Sequence, residues 1–447
     1  MRILMVGALS WNPERVRSLH ERGHELWGTW ARSMVWDQGP YPMLRDCVRT
    51  VSIDDAARVI AEQGIDCVYG LFQVYPPRLW GPPAPGIEHD VWTLLRVLFA
   101  ARARGEFDVP VVFQWGFDIH TFDDDVVRAF DGQIFCNREQ HTYWTTPAAD
   151  GGAGLDLFDD CPVTELLDGD RPKQEFMTDD FAPRLSAASG EVHTVCIGRP
   201  FNIDYVAMAR NGIHLHVYGN GVNDVLDLVA RDLLAQGGAR DVDRVRAHLH
   251  PHESLQPIGR SWADVQAWKS RWVAEFSRYD AGWSYIGSPY PWRPLEDAAA
   301  IPNRLSTYLS VGLPVITDVR PGSYRYEYLA GLGVDVDLVD SDYGALRATL
   351  ESENASGERR RNAIAARHGE SFDASIDTLL AVFERARAHY FETPAAQRRR
   401  PLPDRSGPVV VADEPPRRQP LLRRAKAAAA HRVTRARRRR IVQRLRP

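Results

Sequence analysis

The pattern of residues 301–317, IPNRLSTYLSVGLPVIT, predicts a short helix that leads directly into a strand. Apolar side chains recur there with the spacing of one helix face, at Leu305, Tyr308, Leu309 and Gly312. Gly312 and Pro314 end the helix, and the β-branched run that follows is typical of a buried strand. This pairing predicts an α/β domain with a parallel sheet.

Strand and helix patterns alternate on both sides of this stretch. The first series begins with the strand RILMVGA (2–8) and continues to GQIFCN (132–137). A second series restarts at VHTVCIG (192–198) and closes with two amphipathic helices, in 340–353 and 372–391. We therefore predict an α/β protein built from two doubly wound, Rossmann-like domains.

The same patterns predict the domain boundaries. We place an N-terminal domain at 1–186, in which a linker rich in Asp, Gly, Pro and Ser starts at about 147. A C-terminal domain follows at 192–370, and a closing helix at 371–392. Residues 393–447 are predicted to form a basic, flexible tail.

The charge is distributed unevenly along the chain. From Arg417 to the end there are 13 Lys and Arg and no acid, whereas residues 1–416 carry 42 basic and 59 acidic side chains. The five cysteines are scattered without a C-x-x-C pair, which fits a reducing cytoplasm. No run of 18 apolar residues predicts a membrane span, and the first ten residues are too short for a secretory signal.

Several motifs resemble those of glycosyltransferases with the GT-B fold, specifically a GT4-like branch with a P-N-K-L motif. They are LHERGHEL (19–26), IGRP (197–200), HVYGNG (216–221), YDAGWSYI (279–286) and PNRLSTYLSVGLPVI (302–316). The resemblance extends over about residues 1–390. It implies two Rossmann-like domains with a cleft between them, a nucleotide-sugar donor bound mainly by the second domain, and no cofactor or bound metal.

The donor-binding residues implied by the resemblance also suit an anionic ligand on physical grounds. Ligands of such sheets bind beyond the carboxyl ends of the strands, where helix N-termini and arginines attract phosphates. The expected nucleotide-sugar-binding residues are Gly198, Arg199, Gly219, Asn220, Gly221, His252, Tyr285, Asn303, Arg304 and Thr307. Arg199 and Arg304 are expected to contact the diphosphate.

The chain departs from the retaining GT4 pattern at two glutamate positions, and it also lacks the lysine that usually follows the G-R pair of that pattern. Thr307 stands where those relatives have a glutamate that holds the ribose, and Ala299 stands where they have a second glutamate. Inverting relatives with the P-N-K-L motif remain compatible with the sequence.

Catalytic candidates follow a predicted strand of the first domain, in FQWGFDIHTFDDD (113–125). An inverting transfer needs a base for the acceptor proton, and Asp118 and His120 are our candidates. The alternative is that these polar residues cap the helix that follows.

The histidine-rich segment VRAHLHPH (245–252) is predicted to be a strand. His248 and His250 would alternate along it, and His252 would follow a proline. We expect no metal site here because no Asp, Glu or Cys is suitably spaced. One of the histidines is expected to face the nucleotide.

The Arg-rich tail allows three interpretations. It is a solvated arm, a segment that docks on an anionic membrane surface, or, least favoured, a nucleic-acid-binding arm. The membrane interpretation suits a lipid-linked acceptor and a peripheral position on the inner face of the membrane.

The leading functional hypothesis is a cytoplasmic glycosyltransferase. The acceptor is a glycan, a lipid or a small molecule. Two alternatives remain: a nucleotide-sugar epimerase of the same fold, and a catalytically silent sugar- or nucleotide-binding scaffold.

Overall fold

A computed structural model describes most of the chain. The described residues are 1–7, 9, 13–30, 42–71, 91–116, 121–147, 150, 161–166, 174–200, 202–219, 221–253, 255, 261–284, 303–318, 324–403, 409–410 and 436–446. They form two compact units. The N-terminal unit comprises 1–174, 259–262 and 371–413, and the C-terminal unit comprises 175–258, 263–370 and 414–447.

The strands are numbered in chain order. They are β1 (Arg2–Gly7), β2 (Glu25–Trp30), β3 (Val48–Thr50), β4 (Cys67–Leu71), β5 (Val111–Gln114), β6 (Thr121–Phe122), β7 (Gly132–Phe135), β8 (Val163–Glu165), β9 (Val192–Ile197), β10 (Ile213–Gly219), β11 (Leu249–Glu253), β12 (Ala281–Trp283), β13 (Val315–Asp318), β14 (Asp335–Leu338) and β15 (Val409–Val410).

The helices are numbered in the same way. They are α1 (Pro13–Glu21), α2 (Ile53–Gln63), α3 (Val91–Ala103), α4 (Asp124–Val127), α5 (Arg138–Thr145), α6 (Leu185–Ser189), α7 (Tyr205–Arg210), α8 (Val222–Ala235), α9 (Val242–His248), α10 (Trp262–Phe276), α11 (Asn303–Ser310), α12 (Tyr324–Leu332), α13 (Tyr343–Ser356), α14 (Glu358–Ala366), α15 (Phe372–Glu392), α16 (Ala395–Arg398) and α17 (436–445). None of the described helices has the length and apolar character needed to cross a membrane.

The N-terminal unit contains a seven-stranded parallel sheet in the order β3-β2-β1-β4-β5-β7-β8. Its inner strands are almost wholly buried, as expected for a parallel sheet covered on both faces. The long helix α15 packs on one face through an apolar stripe that includes Ile376, Leu379 and Phe383. Ser371 caps this helix by accepting the amide of Ala374.

The C-terminal unit contains a six-stranded parallel sheet in the order β11-β10-β9-β12-β13-β14. One face packs on α7, α8, α9 and α13 around a core that contains Leu215, Val217 and Leu226. The opening stretch of the sequence becomes α11 and β13, as predicted, and Gly312 adopts a φ of 70° at the turn between them. Two parallel α/β sheets confirm the predicted fold class.

Three features differ from the sequence-based expectations. The predicted linker contains β8, which extends the first sheet, and the first unit ends at Gln174 instead of residue 186. The predicted strand 245–252 begins only at Leu249, because Val242 and Val245 are buried with helical spacing in α9.

The third difference concerns the tail. Its described end is the helix α17, which packs on the core of the C-terminal unit through Ile441 and Leu445. Arg438 pairs with Asp227 of α8, and Arg444 with Asp243 of α9 at 2.6 Å. The expectation of a flexible tail over 393–447 is therefore wrong for 436–446, since a basic composition did not reveal the two apolar anchors.

Candidate functional site

The topological switch point of the second sheet lies between β9 and β12. From β9 the chain proceeds outward to β10 and β11, and it returns to the other side of β9 as β12, followed by β13 and β14. The strands that follow β9 and β12 in the chain therefore lie on opposite sides of this pair. Parallel α/β sheets form a ligand crevice at this point, beyond the carboxyl ends of the strands.

The residues after β9 meet the first turn of α11 at this crevice. Gly198 adopts a φ of 85°, and its amide donates to the Tyr218 carbonyl at 2.7 Å. Arg304 extends its guanidinium beneath this turn, where it donates to the Arg199 carbonyl and to the Cys196 thiol, both at 3.0 Å. Arg304 is 8% exposed, so its charge is held in place at the crevice and is only weakly screened by solvent.

A buried tyrosine joins the two strands that diverge at the switch point. The Tyr308 hydroxyl accepts the Ile197 amide at 3.1 Å and lies 3.0 Å from the Trp283 carbonyl, to which it donates. It thereby satisfies backbone groups that the ladder of β9 and β12 leaves unpaired. Tyr308 packs over Gly282, where a Cβ atom would lie 2.6 Å from its ring.

The start of α11 provides the helix N-terminus that was predicted beside the diphosphate. Asn303 is the first helical residue, and Thr307 follows one turn later with 6% of its surface exposed. The first amides of a helix lack intrahelical partners and attract anions. The structure thus brings Gly198, Arg199 and Arg304 together at this N-terminus.

The predicted glycine turn after β10 is a site of close packing. A Cβ atom on Gly219 would lie 2.5 Å from Val225 of α8, and Gly221 occupies the N-cap position of that helix. Glycine therefore allows α8 to approach the end of β10.

Four of the predicted site residues lie outside the described residues. They are Asp118, His120, Asn220 and Tyr285. Ala299, one of the two glutamate positions that depart from the retaining pattern, lies outside them as well.

His252 lies on β11 beside an open cavity of about 560 Å³ in the C-terminal unit. The polar side chains that line the cavity are Tyr218, His252, Glu253, Arg271, Glu275 and Arg278. Burial raises the pKa of the Tyr218 phenol, and its contacts with Tyr279 and Glu275 raise it further. The phenol is therefore a neutral hydrogen-bonding group in the cavity wall.

The sequence-based expectations did not include most of this cavity. Arg271, Glu275 and Arg278 recur on or just after α10 with the spacing i, i+4 and i+7, so a search for polar residues on one helix face would have found them. Periodicity does not show which surface such a face lines, and the cavity was therefore missed.

The histidines of β9, β10 and β11 contact one another on a single face of the sheet. His193 Nδ1 lies 3.1 Å from His216 Nε2, and His216 Nδ1 lies 2.9 Å from His252 Nε2. In the described ranges, no group of three or more His, Cys, Asp or Glu side chains is arranged to hold a metal ion. These nitrogens pair with each other and do not converge on one point.

The N-terminal unit has its own switch point, between β1 and β4. Gly7 adopts a φ of 121° there, and a Cβ atom at this position would lie 2.3 Å from the Leu71 carbonyl oxygen. Helix α1 and strands β4 and β5 carry a buried polar group in which Arg15 donates to the Tyr69 hydroxyl at 3.1 Å and that hydroxyl contacts Gln114. No sequence pattern reveals this group, because its members are far apart in the chain.

Comparisons with solved structures show chains of similar fold. A glycosyltransferase from Rickettsia africae is similar over 86% of this chain and 98% of its own, with 10% sequence identity and a TM-score of 0.53. Anabaena HepE in complex with UDP-glucose has 11% identity over 85% of this chain and 98% of its own, with a TM-score of 0.46. An α-glucosyltransferase in complex with UDP has 11% identity over 86% of this chain and 100% of its own, with a TM-score of 0.49.

No protein-family model and no curated protein sequence matches the chain. At 10% identity, the likeness to the Rickettsia protein establishes the fold alone. Together with the two parallel α/β sheets, it shows that the chain has the GT-B glycosyltransferase fold that the sequence motifs predicted.

Proposed function

We propose that the chain is a glycosyltransferase that takes a sugar from a nucleotide-sugar donor bound by its C-terminal unit. The observation that carries the proposal is the meeting of Gly198–Arg199 with Arg304 at the switch point of the second sheet. A glycine turn, two arginines and a helix N-terminus together provide the positive charge and N–H donors that bind a diphosphate. Arg304 is too well buried to be a surface ion-pair residue.

The same groups suit the chemistry of transfer. When the bond between the sugar and the diphosphate breaks, negative charge develops on the departing phosphate. The buried Arg304 guanidinium and the first amides of α11 are held in place before the reaction and stabilise that charge without reorganising. This proposal requires no metal ion.

The proposed catalytic base belongs to the N-terminal unit. Asp118, with His120 as the second candidate, follows β5, and the missing glutamate at Thr307 favours an inverting transfer that needs such a base. The proposed acceptor is a hydroxyl of a glycan, a lipid or a small molecule.

We further propose that α17 brings the enzyme to an anionic membrane surface. Ile441 and Leu445 anchor this helix on the C-terminal unit, while Arg437, Arg439 and Arg440 are exposed on it. Each basic residue near an anionic leaflet contributes about 1 kcal/mol to membrane binding.

Sedimentation with vesicles of phosphatidylglycerol and phosphatidylcholine, at two salt concentrations, tests the membrane proposal. Binding that is lost on replacing the three arginines with Gln supports the proposal, whereas equal binding to pure phosphatidylcholine, or binding to DNA only, contradicts it.

A donor assay tests the catalytic proposal. UDP-, GDP- and dTDP-sugars are incubated with the full chain, and nucleoside diphosphate release is measured with and without a membrane glycolipid fraction. We expect acceptor-dependent release from at least one donor, and a loss of about 10²–10⁴-fold in Asp118→Asn. The exposed Asp54 on α2 provides the control variant, Asp54→Asn, which should retain activity.

Two outcomes would overturn this proposal. Conversion of the donor into a stereoisomer without release of nucleoside diphosphate identifies an epimerase. Binding of a donor without any turnover in the presence of the glycolipid fraction identifies a silent binding protein.

A further inference from the structure

Five histidines of the C-terminal unit form a continuous row across three neighbouring strands. The imidazole row consists of His193 on β9, His214 and His216 on β10, and His250 and His252 on β11. Neighbouring rings stack with centroid separations between 4.4 and 5.2 Å, for example His216 on His250 at 4.4 Å. The strand register explains the row, because His193 pairs with His214 and His216 pairs with His250.

Hydrogen bonds link three of these rings in one direction. The Ser189 hydroxyl donates to the Leu185 carbonyl at 3.1 Å, so its oxygen is left to accept from His193 Nε2 at 3.0 Å. His193 Nδ1 must then accept from His216 Nε2, and His216 Nδ1 must accept from His252 Nε2. This arrangement satisfies every contact at once if each ring is neutral and carries its proton on Nε2.

The hydrogen bond between His214 and His250 runs in the same direction as those of the longer chain. His214 Nδ1 lies 2.9 Å from His250 Nε2, and His214 Nε2 lies 3.0 Å from the Glu191 carboxylate, although it is poorly aligned for a hydrogen bond. A carboxylate favours a proton on the nitrogen that faces it. His214 therefore carries its proton on Nε2 and accepts from His250, in the same sense as the longer chain.

We propose that the imidazole row is an acid-sensitive latch, which holds β9, β10 and β11 together while its histidines are neutral and releases them when protons enter. A protonated imidazole has two N–H groups and cannot accept a hydrogen bond. If an inner ring such as His216 gains a proton, its Nδ1 becomes a donor. It then faces the N–H donor of His252, and that hydrogen bond is lost. The proton also places a positive charge in contact with three other imidazoles, those of His193, His250 and His252.

Further titratable groups of both charges face the row. They are Glu191 before β9, His248 at the end of α9, Tyr218 on β10, Glu275 on α10, and Arg278, Tyr279 and Asp280 after α10. Glu191 stabilises a proton on His214 at the edge, whereas no carboxylate among the described residues contacts the inner His216. Burial, together with the neighbouring imidazoles, lowers the pKa of His216 to about 2 and that of His250 to about 4.

The latch controls the strands that lead to the proposed donor site. β9 and β10 carry Gly198 and Gly219 at their carboxyl ends, and β11 is the edge strand that ends beside the cavity. Release of the row is therefore expected to disorder this edge of the unit and to weaken nucleotide binding. Only this last consequence depends on the proposed function.

The direct test is nuclear magnetic resonance of the ¹⁵N-labelled full chain. At pH 7, the five row histidines should appear as neutral rings with the proton on Nε2. On acidification, His216 and His250 should stay neutral through pH 5.5, and the amide signals of β9, β10 and β11 should then be lost together. Individual titration of the rings near pH 6.5, with the strand signals unchanged, would overturn the proposal.

Unfolding by urea gives an independent test. In the unfolded chain His216 and His250 bind protons below about pH 6.5, whereas in the folded chain they do not until their lower pKa values are reached, so stability falls as the pH falls through this window. We expect the unfolding constant to rise at least about tenfold between pH 7 and pH 5.

The variant His216→Gln should show a smaller rise, with only the contribution of His250 and the outer histidines left, and the exposed His368→Gln should show the full rise. If His216→Gln does not fold, His250→Gln at the edge strand replaces it. An unchanged rise in the row variant contradicts the latch. Failure of nucleotide binding at pH 7 in the native chain contradicts the proposed function and leaves the latch intact.

Discussion

The guanidinium of Arg304 donates to the carbonyl of Arg199 at 3.0 Å, and this bond joins the first turn of α11 to the segment that follows β9. Arg304 lies in the first turn of α11, and Arg199 follows β9. Residues about a hundred positions apart therefore meet at the place where parallel sheets bind ligands. The relationship connects the fold with the proposed donor site.

The first prediction concerns this bond. Arg304→Ala should weaken nucleotide-sugar binding by about 10–100-fold, because a charge-assisted hydrogen bond to a phosphate and the support of the Gly198 turn are both lost. Isothermal titration with the donor that binds the native chain provides the measurement. The exposed Arg240→Ala, in the same unit, is the control. Equal affinities for the native chain and both variants would show that Arg304 only supports the fold.

The second prediction concerns the contact between Gly282 and Tyr308. Gly282→Ala should lower the free energy of unfolding by about 1–3 kcal/mol, because its Cβ atom would lie 2.6 Å from the Tyr308 ring. Gly331→Ala, on α12, should cost nothing or stabilise, since no atom lies within 4 Å of its Cβ position. In the Tyr308→Leu background the cost of Gly282→Ala should shrink. A cost that stays the same there would show that the strain arises elsewhere.

The third prediction concerns α17. Ile441→Ala should destabilise the C-terminal unit by about 2 kcal/mol or more, because its side chain is 5% exposed in the core of that unit. Gln443→Ala, on the exposed face of the same helix, should have no effect. Urea unfolding of the full chain distinguishes the two. Identical curves for both variants would mean that the helix does not pack on the unit in solution.

The fourth prediction concerns a buried ion pair of the N-terminal unit. Asp131 accepts from Arg102 at 2.5 Å and from the Val111 amide at 2.7 Å. Asp131→Asn should lower the free energy of unfolding by about 3–5 kcal/mol, because it leaves the buried Arg102 guanidinium without its counter-charge. Glu106→Gln removes the partner of Arg104 at the surface and should cost less than about 1 kcal/mol. Similar losses of unfolding free energy in the two variants would show that burial does not determine the contribution of these ion pairs to stability.

The central elements of both sheets could be predicted from the sequence because they repeat one physical pattern. Continuous apolar runs such as 3–7 and 67–71 are buried parallel strands, and the intervening amphipathic runs form the helices that cover them. Short edge elements could not be predicted in this way. β8 has three residues, two of them partly buried, so it lacks the apolar run that identifies a central strand.

The candidate site was predicted only in part for a related reason. Gly198 and Arg304 adjoin strongly patterned elements, so their positions at strand and helix ends followed from the sequence. The imidazole row depends on register, and no pattern within one strand shows that His193, His214 and His250 stand beside one another. The role expected for His252 in facing the nucleotide remains a prediction, as does the role of Thr307.

The most direct measurement is a structure of the chain with a bound nucleoside diphosphate or nucleotide sugar. We expect its phosphates at the N-terminus of α11, within hydrogen-bonding distance of the first amides of the helix and beside Arg199 and Arg304. Placement of the ribose against Thr307 would further show how the donor is held without the glutamate of the retaining pattern. Phosphates bound away from the switch point of the second sheet, or no occupancy at a saturating concentration of UDP-, GDP- and dTDP-sugars, would contradict the proposed function.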